Sequence, residues 1–284
     1  MTRREKAYNK KLESLIDQAL TLQDDAVDRV NKILTATRTE LAASLAQTPW
    51  EAHYLPQAKD AIERAIRGFE QQYKAEQSEA LKTSWSAGVD MVDAPLAAAG
   101  IRLVAPEISP STLGILQGYS ADLIGGLSAD ALKRVNNELT MAVLGQTPQY
   151  QVMKTIDELL GIQTRTGISW RAETITRTEM ARIHSAAREA RMQAVLKGSS
   201  DPEVRWGKKW IASGKRHPRW NHRALNGTIV PIDENFPGEI PYPHAPGLSA
   251  EESINCGCSH VLVPLDWGEL PKQGEPVEYQ ERAA

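Results

Sequence analysis

The chain has 284 residues, 41% of them hydrophobic, with 33 Lys+Arg, 36 Asp+Glu and a formal net charge of −3. This length suits one large or two ordinary domains, and the near-neutral charge excludes a globally basic nucleic-acid coat. Two cysteines are too few for a disulfide scaffold. No stretch reaches the ~20 apolar residues of a membrane span, and the N-terminus lacks the apolar run of a signal peptide. We therefore expect a protein kept in the reducing cytosol.

The first part of the chain predicts two long helices. Apolar residues recur three and four positions apart over 12–45, the spacing of an amphipathic helix. Thr2 and Glu5 fit a capping box at its start, and Pro49 fits its end. A second stretch with the same spacing continues towards Trp85. Two such stretches in succession predict an antiparallel helical hairpin that buries one face of each helix.

Proline and glycine divide the central part of the chain into shorter helices. A Pro- and Gly-containing stretch over 93–110 predicts a boundary. Beyond it, capping residues and terminal glycines predict helices over 128–145, 148–161 and 169–198. The last of these carries a thin face of alanine and isoleucine, which is suited to close helix packing.

After Gly198 the helical spacing gives way to alternation, which predicts short strands over 204–210, 227–233 and 256–264. Alternation directs Trp206 and Trp210 inwards, and it leaves the environment of Trp220 open. The remainder is rich in Pro, Gly and Glu, a composition typical of an extended segment.

The predicted fold class is mainly α with a small α+β C-terminal module. It has an N-terminal hairpin of long helices, central short helices, and a terminal small sheet with long loops. We predict a helical region over 1–110, a second domain over 111–265 and an extended tail over 266–284. The second domain is expected to contain helices over 111–198 and the small mixed module over 199–265.

Charge is distributed unevenly along the chain. Residues 165–223 contain 14 Lys+Arg and 5 Asp+Glu, a net charge of +9, whereas residues 224–284 carry −8 and residues 1–164 carry −4. A local basic patch binds polyanions even when the total charge is near zero, although a solvated helix face gives the same pattern. The residues that we predict to contact nucleic-acid phosphates are Arg177, Arg182, Arg188, Arg191, Lys208, Lys209, Lys215 and Arg216.

Potential metal ligands gather in the C-terminal module, where a bound ion would replace missing hydrophobic burial. Cys256 and Cys258 are two residues apart, so on an extended strand both reach one ion. A tetrahedral zinc site would add His222 and one further ligand. The candidates for that further ligand are His217, Asp233, His244 and His260. The alternative is that the cysteines pack as small hydrophobic residues without a metal.

Catalytic motifs are absent from the sequence. It contains no GxxxxGK[ST] phosphate loop, no GxGxxG, no HExxH and no GxSxG, and nothing marks a third residue to orient a Cys–His pair. We predict no catalytic residues and no enzymatic activity. The alternative is a metal-dependent DNA-binding or nuclease module that uses the Cys/His site.

Three motifs follow one another in one order. A run of short helices beginning ADLIGGLSADALKRV precedes the helix RAETITRTEMARIHSAAREARM, and a segment from Trp210 to Cys258 follows, with His222, Glu252 and Asn255 in it. These motifs resemble those of the phage head-morphogenesis, or minor head, family typified by protein F of phage Mu. The resemblance covers roughly residues 113–264. The chain departs from the family pattern at 213–215, where an Asp is usual, and has glycine in place of arginine between the two cysteines.

The resemblance implies a minor capsid protein of a tailed double-stranded DNA phage or prophage. It implies a portal-associated protein that aids head assembly, DNA packaging or delivery, and that lies inside the virion near the portal vertex after assembly in the host cytoplasm. The implied partners are the portal protein, a major capsid or scaffolding protein, and packaged double-stranded DNA bound without sequence specificity, with no membrane during assembly. It also supports structural zinc at His222, Cys256 and Cys258.

Overall fold

A computed structural model describes residues 2–49, 51–103, 105–161, 167–198, 205–213 and 219–265. In these ranges the protein has seven α-helices and a three-stranded sheet. The helices are α1 Arg3–Ala46, α2 Leu55–Ala98, α3 Ser111–Val143, α4 Gln149–Leu160, α5 Ile168–Gly198, α6 Trp220–Ala224 and α7 Ala250–Ser253. The strands are β1 Trp206–Ile211, β2 Ile229–Pro231 and β3 Ser259–Pro264, and a short 3-10 helix spans Ala52–Tyr54. The predicted fold class is confirmed.

The helix ends follow the capping residues in the sequence. At the start of α1, the Thr2 amide donates to Glu5 Oε2 at 2.5 Å and the Glu5 amide donates to Thr2 Oγ1 at 3.2 Å, which is the predicted capping box. Helices α2 and α3 each end before a glycine in the left-handed conformation, Gly100 (φ 78°) and Gly145 (φ 75°). In both places the glycine amide and the next amide bind the last carbonyl groups of the helix.

Two helices are longer than the sequence predicts. Helix α2 continues through Pro95 to Ala98, where a boundary was expected, because Val92 and Leu96 are fully buried and their packing offsets the hydrogen bond that proline cannot donate. Helix α3 begins at Ser111 and not at Ser128, and Ser128 is buried within it. The predicted domain limits stay a prediction.

The protein consists of two compact units. Unit 2 comprises Gln23–Ala80 and Ile115–Arg177. Each of the five long helices contributes buried residues to its core, among them Leu34, Leu41, Phe69, Val135, Ile156 and Ala172. Within this core the Tyr73 hydroxyl donates a hydrogen bond to the Ala172 carbonyl oxygen at 2.8 Å. This bond ties α2 to α5.

Unit 1 comprises Met1–Leu22, Leu81–Gly114 and Thr178–Ala284, and it contains the sheet. The strand order is β2-β1-β3, with both pairs antiparallel. The apolar residues of the sheet pack with residues of α1, α2 and α5, including Trp206, Val261, Val263, Leu12, Val92, Leu96, Met192 and Val195. The Tyr8 hydroxyl donates to the Leu262 carbonyl oxygen at 2.6 Å.

Both tryptophans of β1 point into the core of unit 1 as predicted, with 8% of Trp206 and 0% of Trp210 exposed. The described part of β1 begins at Trp206, so Val204 of the predicted strand lies outside the described residues, as does the predicted tail over 266–284. Among the helices of the described ranges, none is both long and apolar enough to cross a bilayer.

Helices α2 and α5 approach closely at Gly88 in unit 1. A Cβ atom at this position would lie 2.5 Å from the His184 carbonyl oxygen and 2.8 Å from the Ala187 Cβ. We expect Gly88→Ala to lower the free energy of unfolding by about 1–3 kcal/mol through overpacking. Gly68→Ala in the same helix meets nothing within 4 Å and should raise it by roughly 0.5–1 kcal/mol. Urea unfolding followed by circular dichroism tests this pair, and equal midpoints would contradict it.

Candidate metal centre

His222, Cys256 and Cys258 come together inside unit 1. The Cys256 and Cys258 Sγ atoms lie 3.4 and 3.6 Å from His222 Nδ1. All three side chains are buried, with 2%, 6% and 6% of their surface exposed. In the described part of the chain, these residues form the one group of three or more His, Cys, Asp or Glu residues whose ligand atoms all lie within 4.8 Å of one another. The structure thus assembles the three residues that the sequence proposes as metal ligands.

A turn between α7 and β3 places the two cysteines next to His222. His222 lies on α6, whereas both cysteines lie between α7 and β3. After α7, Asn255 adopts a left-handed conformation (φ 56°), and its amide donates to Thr178 Oγ1 of α5 at 3.3 Å. The cysteines therefore precede β3 and do not lie on it as expected, because the chain pairs with β1 only from Ser259 onwards.

Apolar side chains surround the cluster. The Trp210 ring contacts the His222 ring edge-on, with 5.4 Å between centroids, and Phe236 packs edge-on against Trp210 at 5.1 Å. Leu225 and Ile240 complete the same small core. A dry environment of this kind disfavours isolated charges, so any thiolate here needs a partner.

A second layer of hydrogen bonds orients His222. Its Nε2 lies 2.5 Å from Glu252 Oε2, and Asn221 Nδ2 donates to both oxygens of the same carboxylate at 3.1 and 3.2 Å. The Nδ1 atom is thereby turned towards the two sulfur atoms. Metal-binding histidines commonly have such a carboxylate on the other ring nitrogen. Sequence reasoning placed Glu252 in a motif but did not assign this role, because only the fold brings it to His222.

The cluster also favours ionised sulfur. The hydrogen bond from Cys258 lowers the pKa of Cys256 despite the opposing effect of burial, and His222 and His244 lower it further. The pKa of Cys258 is raised by that same hydrogen bond, by burial and by the charge of Cys256. Burial lowers the pKa of His222, but hydrogen bonds and charges of Cys256 and Glu252 outweigh burial and raise it. One thiolate is therefore already stabilised, and a dication would stabilise the second.

The distances fit a zinc ion. With Zn–S near ~2.3 Å and Zn–N near ~2.0–2.1 Å, ligands of a tetrahedral ion have sulfur and nitrogen about 3.5 Å apart. The two observed Sγ···Nδ1 distances are 3.4 and 3.6 Å. Two thiolates and one imidazole are also a donor set that zinc prefers. The residues present therefore fit the ion that the sequence suggests.

Comparisons with known proteins identify the segment that contains this cluster. Residues 133–261 match the family model described as Phage Mu protein F like protein. This segment is therefore similar to the Phage Mu protein F like family, and the match covers a little under half of the chain. The family resemblance inferred from the sequence motifs is confirmed, and the matched residues include all three members of the cluster.

Two relatives match the chain over similar lengths. "Uncharacterized protein YqbB" of Bacillus subtilis (strain 168) is 30% identical over 168 residues, which cover 56% of this chain and 50% of the relative. "Minor head protein GP7" of Bacillus phage SPP1 is 27% identical over 167 residues, covering 51% of this chain and 52% of the relative. The chain thus spans about half the length of these relatives. No solved structure matches it.

The four candidates for a further ligand differ in their surroundings. His260 is fully buried, but its Nε2 lies 3.3 Å from Glu189 Oε2. Asp233 is exposed, and His217 lies outside the described residues. His244 is buried, with 1% of its surface exposed.

Two of the residues predicted to contact nucleic acid are buried in unit 1. Arg188, 2% exposed, donates to the carbonyl oxygens of His184 and His260 at 3.2 and 3.0 Å, and burial lowers its pKa to about 9. Lys208, also 2% exposed, donates through Nζ to the Pro241 carbonyl oxygen at 2.7 Å. Because neither cation reaches the surface, the prediction that they contact phosphates is corrected: they hold the sheet to its surroundings.

Three further predicted arginines form ion pairs within their own units. The pairs are Arg177 with Asp24 at 2.7 Å, Arg182 with Glu179 at 3.2 Å, and Arg191 with Asp93 at 2.8 Å. Lys209 is half-buried on β1, and Lys215 and Arg216 lie outside the described residues. A DNA contact by these residues stays a prediction.

The ion pair of Arg182 involves an acid whose burial predicts a pH effect. Burial raises the pKa of Glu179 to about 7, against a smaller opposite effect of Arg182. Between ~4.3, the value for an unfolded glutamate, and about 7, the folded state binds more protons, so the free energy of unfolding falls as pH rises. We expect Glu179→Gln to remove this loss.

Unfolding of both proteins at pH 4 and pH 8 provides the measurement. The variant should gain stability relative to the parent protein at pH 8, while the comparison at pH 4, with the glutamate largely protonated in both states, serves as the reference. A stability difference that is the same at both pH values would contradict the buried-acid interpretation.

Proposed function

We propose that this chain is a minor head protein of a tailed double-stranded DNA phage or prophage. The observation that carries the proposal is the Phage Mu protein F like segment over residues 133–261. A relative that aligns with half of the chain is named as a minor head protein of a phage. Both point to a component of the phage head.

In this proposal the protein lies inside the virion near the portal vertex, after assembly in the host cytoplasm. Its partners are the portal protein, a major capsid or scaffolding protein, and packaged DNA bound non-specifically. It aids head assembly, DNA packaging or delivery without being an enzyme. The motif resemblance supports this role. Because Arg188 and Lys208 are buried, the proposed contact with DNA falls to the other basic residues of 165–223.

The metal centre has a structural role in this proposal. Sites rich in cysteine are typical of structural zinc, whereas catalytic sites keep an open position for water or substrate. The carboxylate of Glu252 is bound to His222 and Asn221, which favours orientation of a ligand over acid–base chemistry. The donor set therefore favours zinc as a brace for the small sheet, and the nuclease remains the alternative.

The head assignment is tested by a protein inventory of particles. Heads, tails and soluble lysate of the source phage are separated and analysed by quantitative mass spectrometry. We expect this protein in heads, at far fewer copies than the major capsid protein, and a lower titre of infectious particles when its gene is deleted. Recovery only in the soluble fraction, with particles unaffected by the deletion, would overturn the assignment.

The zinc assignment is tested by elemental analysis and by Cys256→Ser. We expect about one zinc per chain, lost in the variant, with a destabilisation of the module above roughly 4 kcal/mol, the scale of losing a bound metal. Hydrogen exchange should rise over 205–265 and stay unchanged over 115–161 in unit 2. The control is His53→Gln, an exposed histidine, which should keep its zinc.

Three outcomes separate the alternatives for this site. Less than a tenth of an equivalent of zinc in the parent protein would overturn the assignment of a zinc site. Faster exchange in both units would instead indicate that the thiols only pack. Metal-dependent nicking of supercoiled plasmid that disappears in His222→Ala would favour the nuclease.

A further inference from the structure

We propose that His244 is the fourth ligand of this metal centre and completes a closed site of two cysteines and two histidines. The inference rests on the proposed zinc binding and goes beyond the three residues whose ligand atoms already lie together. A tetrahedral ion held by three protein ligands has one position left, which either a fourth side chain or water fills.

The first argument is the burial of His244 without hydrogen-bond partners. The residue is 1% exposed, and neither Nδ1 nor Nε2 makes a hydrogen bond of ordinary geometry with the described part of the protein. Burying a polar ring in this way costs free energy unless another interaction replaces water. A metal bound to one ring nitrogen supplies that interaction.

The second argument is position. Tyr242, two residues before His244, stacks on His260, and His260 follows Cys258 by two residues. The segment that carries His244 therefore packs against the strand that follows the two cysteines. His244 lies outside the group of three whose ligand atoms are within 4.8 Å of one another, so a bound ion would draw its ring in as the fourth ligand.

The third argument is the way in which the chain presents this ring. His244 stands in the segment Pro-Tyr-Pro-His-Ala-Pro, whose prolines limit backbone freedom. The carbonyl oxygen of Pro241 accepts a hydrogen bond from Lys208, and Tyr242 stacks on His260 with 5.5 Å between centroids. His244 itself has a φ of 65°, an uncommon conformation for a residue with a side chain, which the surroundings must hold in place.

The competing side chains are directed elsewhere. His260 is also buried without a hydrogen bond of ordinary geometry, but its Nε2 faces Glu189 Oε2 at 3.3 Å and its ring stacks on Tyr242. Asp233 is exposed, and Glu252 binds the far nitrogen of His222. With His244 bound, no position remains for water or substrate. The site is then closed, and its chemistry is that of a structural zinc ion.

Cobalt substitution of the full chain tests this assignment, because Co²⁺ replaces zinc and its visible spectrum reports coordination. The variant is His244→Gly, since glycine adopts the positive φ without strain. We expect the parent spectrum to be tetrahedral, and the variant to lose absorption and to bind zinc more than about 100-fold more weakly, beyond the ~10–100-fold of outer-layer changes. Added imidazole should enter the vacated position and restore the spectrum.

His260→Gln is the matched control, because it removes another fully buried histidine of unit 1 and should leave the cobalt spectrum tetrahedral. A parent protein that takes up no metal would overturn the metal centre itself. A parent protein that binds cobalt with a spectrum unchanged in His244→Gly, or changed only in His260→Gln, would overturn the role of His244 alone.

A measurement on the unmodified protein covers the case in which the glycine variant fails to fold. Long-range ¹H–¹⁵N spectra of the histidine rings distinguish a metal-bound nitrogen from a free or protonated one. In the zinc-loaded protein we expect one metal-bound nitrogen in His222 and one in His244. A His244 ring with no metal-bound nitrogen would overturn the proposal.

Discussion

The C-terminal half of unit 1 depends on holding two sulfur atoms and an imidazole within a few ångströms in a dry core. Cys256 and Cys258 reach His222 only because the chain reverses at Asn255 and because Glu252 turns the far side of the imidazole away. The surrounding residues Trp210 and Phe236 exclude water. Burying such a cluster costs free energy when its charges are unpaired. A cation bound to the same atoms would instead stabilise the fold around them.

Helix α5 is the second support of this region. Its residue Thr178 accepts the amide hydrogen of Asn255 next to the first cysteine, and its Arg188 binds the carbonyl oxygen of His260 in β3. Glu189 lies 4.0 Å from the Lys208 ammonium of β1. Charged residues that look like a surface patch in the sequence are thus partly internal, and they connect the helix motif of the Phage Mu protein F like segment to its sheet.

The geometry of the site is that of a structural site, which suits the proposed role as an assembly protein. A protein that assembles with others benefits from a small module that is rigid without a large core, and metal ligation provides rigidity at low residue cost. A closed site would contribute structure, whereas the nuclease alternative requires a position for water.

The sequence alone determined features that depend on neighbouring residues. Spacing and capping residues predicted α1 with its capping box at Thr2, the helix end at Gly145, the short strands, and Cys256 and Cys258 as candidate metal ligands. Only the tertiary structure decided which polar residues are buried, because periodicity does not say what packs against a helix or a strand. Arg188 on α5 and Lys208 on β1 are buried. Helix α2 continues through Pro95 because Val92 and Leu96 next to it are buried. It also showed that His244 and His260 have different surroundings, which the spacing of residues along the chain does not determine.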